Sequence, residues 1–353
     1  MPHAITKSHS SEAVAFHKFN IPDTLDPGHV TVKFLATPIN PLDMLVLADR
    51  YPVKPAHHIS GNGVLGYDGV GQVTGVADDD VSGLAPGDIV VPNRFGLGTW
   101  RTHAALPASA LQKLSEAPKD MAFAAILRIT VAPAYCLVED MAPLRPGDWI
   151  VVNAGTSAVA QMVTQFAALR GVRVAHVVRD RPAAELAAVK NALLGLGAGL
   201  VLTESELETG DGLAQLQALS VALALDSVFG KAGRALVKAL APGGTYVQLG
   251  FLAGPGAQLA LDAADLFARN LTMKAFRGTA QLGLRSPAQQ RELCDWFVRL
   301  FNRGDLKLPP LGLERVDWHV DDAGAAERSA KAAVETARAG ALGQRKQVLA
   351  FKH

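Results

Sequence analysis

The sequence predicts an α/β protein of two domains, one β-rich and one built on a doubly wound parallel sheet. Three observations carry this. Residues 21–115 hold short apolar runs punctuated by Gly and Pro, with no long helical period. From near residue 121 short apolar runs alternate with Ala-rich helical stretches, the pattern of βαβ units. The chain has 353 residues, 49% of them hydrophobic, enough for two cores.

Taken in order, His29–Ala36 alternates as a half-buried strand with Val30, Val32 and Phe34 on one face. Gly69–Val76 reads as a second strand, and Pro86-Gly87-Asp88 turns the chain into Ile89-Val90-Val91. Met121–Glu139 is helix-like and interrupted by Pro133. A second Pro-Gly-Asp turn, Pro146–Asp148, leads into Trp149–Asn153, an apolar run suited to a strand covered on both faces. A helix Ala158–Arg170 follows, stopped by Gly171. Strand Val172–Val178, helix Ala183–Leu196 and strand Gly199–Thr203 continue the alternation. Leu223–Val228, Gly244–Gly250 and Leu271–Phe276 extend the sheet. Pro287–Phe301 is an amphipathic helix, and the mixed tail from Leu308 ends in a strand-like Gln347–Phe351.

Composition excludes several functions. Lys and Arg number 34 against 33 Asp and Glu, a net charge of +1. That balance argues against a nucleic-acid or anionic-membrane surface. No apolar run is long enough to span a bilayer. Residues 1–20 lack both the apolar core of a signal peptide and the Arg pattern of a transit peptide, so a cytoplasmic location is expected. Two cysteines, Cys136 and Cys294, make neither a disulfide framework nor a four-thiolate zinc site. Both lie in apolar contexts that suit buried fillers better than nucleophiles. Gly66-Tyr67-Asp68-Gly69 offers no His or Cys where a catalytic zinc would need one, and His57-His58 are adjacent, a poor arrangement for one metal; no metal is expected. Neither a G-x-S-x-G elbow nor a Tyr-x-x-x-Lys pair occurs.

The strand Trp149–Asn153 runs into Ala154-Gly155-Thr156-Ser157-Ala158-Val159-Ala160 and then a helix. In a dinucleotide-binding turn, glycines let the backbone approach the pyrophosphate at the helix N-terminus. Here Ala158 and Ala160 stand where glycine is preferred, so an ordinary βα turn fits nearly as well. The next strand ends in Arg179-Asp180-Arg181. An acid at that place bonds a ribose 2′-hydroxyl, whereas arginine forks suit a 2′-phosphate. The pair favours NADP(H), with Asp180 orienting either guanidinium. The alternative is that both are solvated charges.

Five segments together resemble one family. They are Ile39-Asn40-Pro41-Leu42-Asp43 with Tyr51 downstream; Gly96-Leu97-Gly98-Thr99-Trp100-Arg101-Thr102; Val177–Pro182; Leu196-Gly197-Ala198 with Thr203–Leu207; and Arg345–Leu349. The chain resembles the zinc-independent medium-chain dehydrogenases/reductases, and within them the trans-2-enoyl-thioester reductases. The resemblance implies a GroES-like catalytic domain at 1–127 and 279–353 and a Rossmann domain at 128–278. It implies hydride transfer from NADPH to the β-carbon of an enoyl thioester (CoA or acyl-carrier protein), followed by protonation of the α-carbon. It puts Tyr51 at the catalytic tyrosine; read without it, Tyr51 is an amphipathic residue of an Arg-Tyr-Pro loop. It matches Ser157 and Val159 to the pyrophosphate loop, Arg179, Asp180 and Arg181 to the 2′-phosphate, Gly250 to the turn after Gly244–Leu249, Phe276 to the nicotinamide side and Lys346 to a late basic contact. Thr156, Ala158, Leu249, Phe251 and Gly278 join them as neighbours at strand ends and the helix start. Thr130 replaces an Asn on the nicotinamide side, and Arg277-Gly278 replaces a Trp-Leu pair beside the acyl site. Homodimers are common in the family. A quinone or enone reductase and a catalytically idle NADPH-binding sensor are the competing readings.

Overall fold

The computed structural model describes residues 2–8, 13–77, 83–341 and 343–353. They form two compact units. The first comprises Met1–Ile129, Pro287–Leu308 and Leu313–His353, and the second Thr130–Ser286 and Pro309–Gly312.

The first unit is built on a seven-stranded sheet. Its path runs Leu313–His319, Lys346–Lys352, His29–Pro38, Val70–Val76, Ile89–Pro92, Leu111–Lys113, and His103–Pro107 also pairs with His29–Pro38. The two C-terminal strands are parallel and the other pairings antiparallel. Val30, Val32 and Phe34 are buried on one face, as their alternation predicts. They join Tyr67, Trp100, Trp318, Leu349 and Phe351 in the core. Gly87, at φ 98°, makes the turn that a side chain would strain. The amphipathic helix extends over Pro287–Arg303 and buries Cys294, Phe297, Val298 and Leu300. Elements beyond the sequence reading include the hairpin His3–Lys7 with Val14–Lys18, the short helix Pro41–Leu47, the strand Leu313–His319 and the helix Ala323–Ala339. The helix Ala323–Ala339 begins where Asp322 accepts from Ala325 N at 2.9 Å and buries Ala326, Ala330, Ala333 and Val334.

Six parallel strands form the sheet of the second unit, in the order Leu200–Thr203, Arg173–Val178, Trp149–Val152, Val221–Asp226, Thr245–Gln248, Thr272–Ala275. The chain order reverses between Trp149–Val152 and Val221–Asp226. This is a doubly wound dinucleotide-binding sheet, and ligands bind such sheets beyond the carboxyl ends at the reversal. Trp149–Val152 is buried along its whole length, as a strand covered on both faces must be. The following helix, Ala158–Leu169, stops before Gly171, whose φ is 69°.

Several boundaries differ from the sequence reading for physical reasons. The strand expected at Leu223–Val228 is Val221–Asp226. It ends there because Asp226 Oδ1 accepts from Val228 N and Phe229 N, each at 2.8 Å, and turns the chain. Residues 279–286 and 309–312, expected with the β-rich domain, stay with the second unit, and 128–129, expected with the second, stay with the first. In the second unit Arg285 pairs with Asp140 at 2.8 Å, and Gln281 donates to the same carboxylate at 3.0 Å. Met121–Glu139 is two helices, Met121–Ala125 and Ala132–Asp140, joined by a wide turn at Leu127–Val131. Pro133 sits in the first turn of the second helix, where its missing N–H costs nothing. No helix among the described residues is long and apolar enough to cross a membrane.

Candidate dinucleotide and active-site residues

In the second unit the first strand hands the chain to Asn153, to Ala154 at φ 48°, and to Gly155. A Cβ on Gly155 would lie 3.0 Å from both His176 Cβ and Val177 O, so the turn closes tightly only with glycine here. Ser157 caps the helix, accepting from Ala160 N at 3.2 Å. Thr156, Ser157 and Val159 remain partly exposed at the helix start, while Ala158 and Ala160 are packed inward. Ala158 is accommodated by a glycine opposite: a Cβ on Gly312 would meet Ala158 Cα at 2.7 Å. Gln161 ties the two segments together. Its Nε2 donates to Thr156 O at 2.8 Å, and its Oε1 accepts from Leu311 N at 3.1 Å.

His176 lies beneath this turn, fully buried. Its Nδ1 is 2.9 Å from Gly155 O and its Nε2 2.6 Å from Thr164 Oγ1. Burial pushes its pKa down to about 4, so the ring is neutral at pH 7. Because Gly155 O can only accept, Nδ1 carries the proton and Nε2 accepts from the Thr164 hydroxyl.

At the reversal of the sheet, Asn153 Nδ2 donates to Asp226 Oδ1 at 2.6 Å, and Asn153 Oδ1 accepts from Ser227 N at 2.7 Å. The Tyr246 hydroxyl donates to Asp226 Oδ2. One buried carboxylate thereby holds the ends of three strands. Leu249 N and Gly250 N turn back onto Asp226 O at 2.8 and 3.3 Å. A Cβ on Gly250 would meet Ser227 O at 2.7 Å. Phe251 beyond it is 52% exposed. Phe276 N bonds Gln248 O at 2.8 Å and closes the last strand. Gly278 opens the next short helix close to Pro133, and Thr130 is buried in the wide turn.

Arg179 and Asp180 are exposed and Arg181 half-buried at the end of the second strand. Arg181 Nε donates to Arg179 O at 3.2 Å. Asp180 does not serve as their orienting partner. It accepts from Ser205 N at 3.2 Å and from the Ser205 hydroxyl, which together hold its carboxyl below the usual range. Glu204 lies close enough to Arg179 for its carboxyl to feel that charge.

In the first unit Tyr51 is half-buried and meets Tyr67 edge-on, ring centroids 6.1 Å apart. The Tyr67 hydroxyl donates to Val53 O at 2.7 Å, and Tyr67 stacks on Phe95 at 6.5 Å. Burial and the nearby Asp43 push the Tyr67 phenol up, so it stays protonated. Lys346 is held inside this unit: its Nζ donates to Asn40 Oδ1 at 2.7 Å. Asn40 N in turn bonds Asp43 Oδ2 at 2.7 Å. Burial pushes Asp43 and Asp68 up to about 7 each and Lys346 down to about 8, while their mutual attraction opposes both changes. The Gly96–Thr102 heptad supports this cluster structurally. Thr99 Oγ1 donates to Asp68 O at 2.6 Å, and Trp100 Nε1 to Pro38 O at 3.1 Å. A Cβ on Gly66 would strike Thr99 Oγ1 and Trp100 Cδ1, both at 2.4 Å. Asn40, Asp43, Asn153, His176 and Asp226 went unassigned in the sequence reading. Cys136 and Cys294 are free and buried, their thiols pushed up to about 12 and about 11 by burial, which leaves neither nucleophilic.

Comparison with known proteins adds the lineage. Residues 26–116 match the alcohol dehydrogenase GroES-like domain. The chain is similar to mitochondrial enoyl-[acyl-carrier-protein] reductases. The Rattus norvegicus protein is 37% identical over 283 residues, covering 79% of this chain and 73% of that one. The Arabidopsis thaliana protein is 32% identical over 310 residues, covering 84% and 80%. Among solved structures, the complex of Etr1p with NADP and crotonyl-CoA superposes with a TM-score of 0.87 at 24% identity over 99% of both chains. A Bacillus thuringiensis protein described as an NADPH:quinone reductase does so at 0.77, with 23% identity and 99% of both chains. These two likenesses establish the fold. The cytoplasmic location expected from residues 1–20 is overturned by the relatives, which are named as mitochondrial. The chain belongs to the zinc-independent medium-chain dehydrogenase/reductase family, in the group of the enoyl-[acyl-carrier-protein] reductases.

Proposed function

We propose that this enzyme uses NADPH to reduce the C=C bond of a 2-enoyl thioester, carried by CoA or acyl-carrier protein. The observation that carries the reading is the 37% identity to a named enoyl reductase over 79% of the chain. The second unit suits NADPH. Gly155 opens the turn, partly exposed Thr156, Ser157 and Val159 start the helix, and the Arg179 and Arg181 forks fit a 2′-phosphate. Leu249, Gly250, Phe251, Phe276, Gly278 and Thr130 stand at the strand ends and the wide turn where the nicotinamide half of such a cofactor lies. Bound NADPH supplies the hydride.

Tyr51 supplies the proton. A phenol is a donor at pH 7. It hydrogen-bonds the thioester oxygen as enolate charge develops and delivers a proton to the α-carbon. Tyr67 cannot take this role while its hydroxyl is bonded to Val53 O. Lys346 keeps the buried Asn40–Asp43 corner beneath these rings neutralised, and we assign it that part rather than a phosphate contact. Exposed Phe267, at 93%, and the edge strand Thr272–Ala275 support a homodimer.

A quinone or enone acceptor is the second reading, favoured by exposed Arg277 where enoyl reductases carry an apolar pair. NADPH oxidation with crotonyl-CoA and longer 2-enoyl-CoAs, run beside 1,4-benzoquinone, separates the two. Saturable turnover of enoyl-CoA is expected. Turnover of quinone alone rejects the proposal, and NADPH binding without turnover of either points to the idle sensor.

A further inference from the structure

Phe229 carries a ring on backbone angles that favour glycine. Its φ is 74° and its ψ −177°. A side chain makes that combination unfavourable, and it persists only where the surroundings impose it. Here the neighbours do so. Asp226 Oδ1 accepts from Val228 N and Phe229 N, each at 2.8 Å. Ala253 N donates to Val228 O at 2.9 Å, and Leu252 N to Ser227 O at 3.1 Å. Gly230, at φ 64°, then starts the helix Gly230–Ala239. Glycine at 229 would relieve the strain, so a compensating gain has to come from the ring.

Packing does not supply it. Phe229 remains partly exposed. It takes no part in the apolar cluster of Val151, Ala224 and Tyr246, nor in that of Val178, Val189 and Leu193. No ring contact among the described residues involves it. Its position is more informative. It follows the strand Val221–Asp226 at the reversal of the sheet, where a dinucleotide lies. It also stands on the arginine side of that crevice. Lys231, two residues on, pairs with Glu208 at 2.8 Å. Glu208 ends the helix Glu204–Glu208, whose Ser205 holds Asp180 between the two arginines. One short helix thus links the Phe229 turn to the segment proposed for the 2′-phosphate. A partly exposed ring at this adenosine end offers the flat apolar face on which a purine base stacks.

We propose that Phe229 stacks on the adenine of NADPH, and that its strained backbone is retained for this contact. The proposal rests on the NADPH reading and is independent of the acyl substrate. Wild type, Phe229→Gly, Phe229→Leu and Phe229→Tyr are titrated with NADPH by fluorescence and with 2′-phospho-ADP-ribose by calorimetry. The second ligand keeps the adenine and the 2′-phosphate and lacks the nicotinamide. Phe229→Gly should weaken both ligands by about tenfold or more, and by the same factor. Phe229→Leu, apolar but without a ring, should fall between, and Phe229→Tyr should bind as the wild type does. Without ligand, Phe229→Gly should melt no lower than the wild type, since it releases the strain. Unchanged NADPH affinity in Phe229→Gly overturns the proposal and leaves the cofactor reading standing. A loss confined to NADPH puts the ring at the nicotinamide and overturns it too. A lower Tm would mean that the ring is kept for packing, which would also overturn it. If the wild type binds neither ligand, the NADPH reading itself has failed and the proposal falls with it.

Discussion

Replacing His176 with glutamine should change how stability depends on pH. The ring is fully buried and its pKa is pushed from 6.5 down to about 4, chiefly by burial, with the Gly155 carbonyl opposing. A group whose pKa falls on folding contributes stability that is fully present above its unfolded pKa. That contribution is lost as pH falls through the folded value. At about 1.4 kcal/mol per pH unit, the interval from 6.5 to about 4 corresponds to about 3.5 kcal/mol. His57 and His103 are also pushed down, and Asp43 and Asp68 up, so the wild-type curve alone is composite. These groups are common to both proteins and cancel in the difference. Urea unfolding of the wild type and of His176→Gln, at about pH 7 and about pH 4.5, supplies that difference. The wild type should lose about 2 to 3 kcal/mol more than the variant over this interval. Parallel curves would refute the buried, neutral imidazole. Since the same ring holds Gly155 O, KM for NADPH should rise in the variant at pH 7 while kcat changes less.

Tyr51→Phe should lower kcat on enoyl-CoA by roughly a hundredfold or more, with NADPH affinity unchanged by fluorescence titration. An unchanged kcat removes Tyr51 from the reaction. The double variant Arg179→Ala, Arg181→Ala should raise KM for NADPH by about tenfold or more and leave KM for NADH in place. A preserved preference would contradict the 2′-phosphate assignment. Gly312→Ala puts a Cβ 2.7 Å from Ala158 Cα and should cost about 1–3 kcal/mol. Adding Ala158→Gly should recover part of that loss; two additive penalties in urea unfolding would show that the segments do not interlock.

Legibility in the sequence followed locality. Val30, Val32 and Phe34 announce a half-buried strand because alternation within one strand needs no distant partner. The two Pro-Gly-Asp turns and the glycine after Leu169 are equally local, since their conformations exclude most residues. The helix Ala323–Ala339 escaped because its buried face is mostly alanine, whose weak contrast with a polar face leaves no stripe to read. The strand Leu313–His319 is largely exposed and takes its place from pairing with Lys346–Lys352. At the site, the glycine turn and the arginine pair were visible as motifs. Their supports were not. Lys346 reaches Asn40 across 306 residues, and Gly312 accommodates Ala158 from beyond the whole sheet. His176 and Asp226 occupy strand positions that read only as sheet, and their bonds to Gly155, Asn153 and Tyr246 exist only once the sheet has formed.

The most direct test follows the hydride itself. Crotonyl-CoA is incubated with enzyme and NADPH bearing deuterium at both C4 positions, and the butyryl product is examined by NMR. The account predicts one deuterium on the β-carbon and a solvent-derived proton on the α-carbon. A product without label at the β-carbon, or an enoyl thioester recovered unreduced while NADPH is consumed, would contradict it.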